Sequence, residues 1–144
     1  MAANPTLGPA HSGALSVPKW QLWTGRALSA LPVLALVMSA SMKLSQKPAV
    51  LEMFNGKLGY PAGLLTALAL VELTCTVLYV VPRTAVLGAI LLTGYLGGAI
   101  ATHVRVADPF AVPLLLGVAV WAGLFLRDDR LRALLPLRRP AGAK

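Results

Sequence analysis

Apolar residues along this chain gather into four blocks separated by short polar or proline-bearing breaks. The first, TGRALSALPVLALVMSASM, has Arg26 near one end and Lys43 at the other; the second, PAGLLTALALVELTCTVLYVV, opens at Pro61 and is closed by Pro82. The third, TAVLGAILLTGYLGGAIAT, ends against His103, and the fourth, FAVPLLLGVAVWAGLFL, stops at Arg127. Each is near the roughly 20 residues an α-helix needs to cross a hydrocarbon core of about 30 Å. The pattern predicts an all-α fold, a transmembrane four-helix bundle over residues 24–127, with a flexible N-terminal tail 1–23 and a basic C-terminal tail 128–144. Pro61 is expected in the first turn of helix two and Asp108 at the cap of helix four.

The connections carry a second pattern. Between blocks two and three stands little more than Arg83, which requires a tight antiparallel hairpin. The first connection, by contrast, is long enough to hold an element of its own. In KPAVLEMFNGKLGYP the apolar Val50, Leu51, Phe54 and Leu58 recur at helical spacing opposite Lys47, Glu52 and Lys57, which predicts a short amphipathic interfacial helix between helices 1 and 2.

Composition confirms the solvent. The 144 residues are 57% hydrophobic and 12% charged, with a mean hydropathy of +0.73, against about 25% charge in an ordinary soluble domain. A net charge of +8 raises nucleic acid as a partner, but the cations stand at the edges of apolar blocks and form no stripe, so the expected anionic partner is the lipid bilayer. Four crossings put nine of the 13 basic residues with the termini and the second connection, leaving Lys43, Lys47, Lys57 and Arg105 on the opposite side. The positive-inside rule then predicts both termini in the cytoplasm, with Trp20, Trp23 and Trp121 near the inner face and Tyr60 at the outer one. The N-terminal residues lack the basic start and unbroken apolar run of a signal peptide, and His11 within them reads as a solvated loop residue.

Several chemistries are excluded by what the chain lacks. A single cysteine, Cys75, precludes dithiol exchange within this chain. No His and Cys cluster has metal-ligand spacing, the two histidines are too far apart for bis-histidine haem ligation, and no glycine-rich phosphate loop is present.

What remains is a polar set at the edge of, or inside, the apolar blocks. Glu72 stands in the middle of block two, where a charge costs roughly 3 kcal/mol on insertion scales, so it must face the bundle interior and be protonated or paired. It is a candidate catalytic residue or, equally, an interhelical hydrogen-bond donor. Cys75, Thr76 and Tyr79 share its helix face, and Tyr95 and His103 share one face of helix three, which predicts a polar column from the outer surface to mid-membrane. His103 is the second catalytic candidate. Lys43 either snorkels to the headgroups or closes over the column. Arg105 and Asp108 pair locally or join His103 in a rim whose floor is Glu72. The ligand-binding set is therefore Lys43, Glu72, Tyr95, His103, Arg105 and Asp108. Gly94 and Gly98, with Gly97 and Ala101 repeating the spacing, are expected to seat a neighbouring helix within the bundle, with homo-oligomerisation as the alternative.

The run LTGYLGGAIATHVRVADP, with SASMKL at the end of helix one and GKLGYP before helix two, resembles the DoxX-like family of small four-helix bacterial membrane proteins, over residues 26 to 127. Glu72, set in ALVELTCT, falls where that family carries an acid. The resemblance implies a multi-pass protein of the bacterial inner membrane. The family name comes from a subunit of a thiosulfate:quinone oxidoreductase, which implies a subunit or quinone-interacting component of a membrane oxidoreductase system. The implied cofactor is a quinone, not covalently held, and electrons would come from a partner oxidoreductase subunit or a soluble donor. The alternative is a non-enzymatic membrane protein that binds or transports a small molecule, or a scaffold.

Overall fold

The computed structural model describes residues 18–61 and 63–134. His11, and residues 135–144 with Arg138, Arg139 and Lys144, lie outside the described residues. The chain is all-helical, without strands among the described residues. Helix α1 spans Lys19–Ser45; α2, Pro48–Leu51, continues without a break into a π-helix, Glu52–Lys57; α3 spans Leu64–Val80, α4 Ala85–Arg105, α5 Ala111–Arg127 and α6 Asp129–Leu134.

Side-chain pairings give the topology. Gln46 reaches Thr66, Lys43 reaches Glu72, and the Tyr79 hydroxyl lies 2.9 Å from Ser29 Oγ, so α1 and α3 are antiparallel. Trp121 Nε1 donates to Thr93 Oγ1 at 2.8 Å and a β-carbon on Gly117 would lie 3.8 Å from Leu96 Cδ1, so α5 runs antiparallel to α4. The four long helices pack in the cyclic order α1, α3, α4, α5, with α5 returning to α1. One end of the bundle, the base, carries Lys19, Pro82 and Arg127; the other, the head, carries Ser45, Leu64, Arg105 and Ala111.

The base is drawn tight. Gly25 of α1 and Gly123 of α5 face each other so closely that a β-carbon on Gly25 would lie 3.1 Å from the Gly123 carbonyl, and one on Gly123 would lie 2.4 Å from Ser29 Oγ. At Gly88 of α4 a β-carbon would fall 2.2 Å from the backbone nitrogen of Tyr79. Tyr79 itself, wholly buried, donates to the Val120 carbonyl at 2.9 Å, while its own carbonyl accepts from Arg127 Nη2 at 3.0 Å and its ring lies 4.7 Å under that guanidinium. All four long helices meet at this tyrosine.

Several expected boundaries move. Helix α1 starts at Lys19, so residues 19–23, expected in the tail, are helical. Pro61 lies outside α3, whose N-cap is Gly63 with φ +87°, and its carbonyl accepts from Leu64 N in the approach turn. Asp108 does not cap α5: the N-cap is Phe110, and Asp108 is held by Lys57 at 2.6 Å after Ala107 turns the chain at φ +54°. The expected small-residue contact at Gly94, Gly97 and Gly98 is absent, because a β-carbon on any of them would meet no atom within 4 Å. The close helix approaches are made by Gly25, Gly88 and Gly123 instead.

The bundle is apolar outside, and its mainly hydrophobic interior holds a few polar groups. Each long helix turns large hydrophobic side chains outward, among them Leu34, Val77, Ile90 and Leu115, while Glu72 and Lys43 are buried. Two helices, α1 and α4, are long and apolar enough to cross a membrane; α3 and α5 have 17 residues each, about 25 Å at 1.5 Å per residue.

Candidate functional site

The head half of the bundle encloses a cavity of about 630 Å³. Its floor is the Lys43–Glu72 ion pair, Nζ to Oε2 at 2.9 Å, with the two residues 5% and 1% exposed. Lys43 is the last basic residue of α1, and helix geometry turns it onto the same buried face as Leu36 and Ala40. A second donated hydrogen bond, 2.6 Å to Ser39 Oγ one turn earlier, fixes its rotamer. Phe54 and Tyr95 present their rings 5.4 Å and 6.0 Å from the ammonium, which adds cation–π attraction on two sides. Lysine thus turns inward to the acid rather than snorkelling to the headgroups.

Tyr95 and His103 descend one face of α4, as their spacing predicts. His103 Nδ1 lies 2.8 Å from the Ala99 carbonyl. A carbonyl only accepts, so Nδ1 carries the proton and Nε2 is turned toward Asp108, 3.7 Å away, a separation that makes an ion pair only for the imidazolium. Lys57 contacts the other oxygen of the same carboxylate. Five of the six expected ligand-binding residues, Lys43, Glu72, Tyr95, His103 and Asp108, line the one cavity.

Arg105 does not. It lies across the head, where its guanidinium donates to the Leu58 carbonyl and packs against Gly59, at φ +69°. Together with the Lys57–Asp108 bridge and the 2.8 Å hydrogen bond between Tyr60 and Thr102, it ties the α2 and π-helical segment down across the end of the bundle. That segment therefore acts as a strap and contributes Met53, Phe54, Leu58 and Tyr60 to the cavity wall. The expected amphipathic helix is present, but its second half is wound wide as a π-helix, a form often found at functional positions.

Sequence reasoning missed four contributors. Phe54 was legible only as an apolar residue of the amphipathic segment, and Ser39, within SASMKL one turn before Lys43, was given no role. Gly94 and Gly98 were read as a helix seat, yet both line the cavity, and the space that a partner helix would fill is empty. Tyr79, expected in the polar column, instead belongs to the knot at the base.

A buried ion pair under an apolar, glycine-walled cavity, within helices whose outer faces are hydrophobic, defines the class: a small helical membrane protein with an internal polar site. Residues 27–123 match the DoxX-like family, and the chain belongs to that family. No curated protein and no solved structure matches the chain.

Proposed function

We propose that this protein crosses the bacterial inner membrane four times, with both termini in the cytoplasm, and binds a quinone head group in the head cavity as a component of a membrane oxidoreductase system. One observation carries the reading: a lysine and a glutamate, each at least nine-tenths buried, held together at the floor of a cavity large enough for a small molecule. Quinone reduction needs hydrogen-bond donors at the carbonyl oxygens and a proton source. Lys43 and the Tyr95 hydroxyl are donors, and Glu72, His103 and Asp108 can carry protons between that floor and the head surface. Electrons come from a partner subunit or a soluble donor.

The hydrophobic outer faces of all four long helices support the four crossings. Helices α3 and α5 fall about one turn short of the hydrocarbon thickness, and the residues flanking them make up the difference, as modest mismatch permits.

The test uses protein in lipid nanodiscs titrated with decyl-substituted benzoquinone, with protein-free nanodiscs subtracted. Saturable binding is expected, weakened about tenfold or more in the double variant Lys43→Met with Glu72→Met, which removes both charges while keeping side-chain volume. Binding that does not saturate, or that is unchanged in the double variant, overturns the reading.

A further inference from the structure

The cavity is crossed by the strap at the head and bordered by exposed apolar side chains of α1 and α5. Over the head, the strap is fastened at three points, Lys57 to Asp108, Arg105 to the Leu58 carbonyl, and Tyr60 to Thr102. Its Leu58, which lines the cavity, is only 3% exposed. The most exposed large side chains of the wall are apolar, Val112 at 68%, Met38 at 64% and Met42 at 49%, ahead of Met53 of the strap at 43%.

The pairing of α1 with α5 relates these residues to the base of the bundle. At the base the two helices are pinned by Gly25 and Gly123. Val112, Leu116 and Gly123, at spacings of four and seven, occupy one side of α5. The side that touches α1 at the base is thus the side that lines the cavity at the head, where Met38 and Met42 of α1 also line it. The two helices that touch at the base thus both supply exposed apolar side chains to the cavity at the head.

The wall chemistry suits a flexible apolar occupant. Three of the chain's four methionines, Met38, Met42 and Met53, line this one cavity. Methionine is unbranched and polarisable, and it adapts to chains of variable shape in a way that β-branched side chains do not. On α4, Gly94 and Gly98 leave open the space a side chain would take. The floor is charged while the mouth is oily, so a single ligand that satisfies both has a polar head and an apolar tail.

We infer that the cavity takes a single-tailed amphiphile from within the bilayer, through a lateral portal between α1 and α5 bounded by Met38, Met42 and Val112, with the head on the Lys43–Glu72 pair and the tail left in the portal. This rests on the reading of the cavity as a quinone head-group site and adds the tail and its route. A tail-less ligand would forgo the portal contacts, and a water-soluble one would have to displace the strap.

The experiment is photolabelling in nanodiscs with a benzoquinone whose decyl tail ends in a diazirine, mapped by mass spectrometry with and without excess untagged decyl-benzoquinone. Competable labels are expected on the 38–42 stretch of α1 and the 112–116 stretch of α5, and Val112→Trp should reduce them about tenfold. Competable labels confined to the strap, residues 52–60, or labels spread evenly over outer residues such as Val77 and Ile90, overturn the portal. The two readings separate in the Lys43→Met, Glu72→Met double variant. Portal labels that persist there uphold the lateral route and remove the head-group assignment. Strap labels that vanish there uphold the head-group site and remove the portal. No competable label on any residue overturns both.

Discussion

Lys43 and Glu72 are worth most as a pair and least as individuals. Each is buried deeply enough that a lone charge would lack solvation, and each is satisfied by the other at 2.9 Å. Removing one partner of a buried pair costs roughly 3–5 kcal/mol, because the survivor is left uncompensated, whereas replacing both by apolar residues of similar volume is often neutral or stabilising. Lys43→Met alone is therefore expected to destabilise the protein by about 3 kcal/mol, and adding Glu72→Met to restore most of that loss. Thermal unfolding in detergent checks this; a double variant no more stable than Lys43→Met would show that the pair does not act as a unit. The sequence named both residues but not their union. Glu72 was legible because a carboxylate within an apolar block has to be accommodated, whereas Lys43 at a helix end had an equally good alternative in the headgroups. Only the three-dimensional placement of α1 against α3 decides between them.

At the scale of elements, the helices were legible from periodicity and length, and their contacts were not. Four apolar blocks became four long helices, and the amphipathic pattern over residues 47–58 became the strap, since burial of one face follows from spacing alone. Glycine resisted such reading because the same residue serves a close approach or an empty space. Gly94 and Gly98 carry the motif usually read as a helix seat, while Gly88, in no such motif, sits against the backbone of Tyr79. The two uses predict opposite outcomes. Gly88→Ala places a methyl group 2.2 Å from a backbone atom and should push α4 off α3, with a loss of several kcal/mol or failure to fold, at about the upper end of overpacking penalties. Gly98→Leu meets nothing within 4 Å at its β-carbon and should keep the melting temperature while reducing quinone binding, because its side chain occupies the cavity. Equal stability losses in the two variants, measured by thermal unfolding, would remove the distinction between helix contact and ligand wall. The Arg105 side chain teaches the same lesson for charge: three positions before Asp108, it resembled half of a local ion pair. The carboxylate is taken by Lys57 instead, and the guanidinium goes to a strap carbonyl.

For the whole molecule, the distribution of cations predicts an orientation, and the fold adds to the argument made from counting. Of the four basic residues at the head, Lys43 is sealed in the buried pair, Lys57 is bridged to Asp108 and Arg105 is bonded to the Leu58 carbonyl. These are cations with an internal reason to be there. Lys19, Arg26, Arg83, Arg127, Arg130 and Arg132 lie at the base, where Trp20 and Trp23 are exposed as interfacial anchors and Arg26 stacks 5.5 Å from the Trp23 ring. Trp121 does not join that belt; it is bonded to Thr93, about 9 Å up α5 from Arg127. The orientation predicted from this asymmetry is base inward, head outward. In a Cys75→Ser background, Lys47→Cys at the head should react with a membrane-impermeant maleimide added to intact cells. Arg83→Cys, in the hairpin at the base, should react only after the membrane is opened. Labelling of both from outside would place base and head on the same side, which no arrangement of four antiparallel crossings allows, and labelling of Arg83→Cys alone would invert the bundle and put the strap in the cytoplasm.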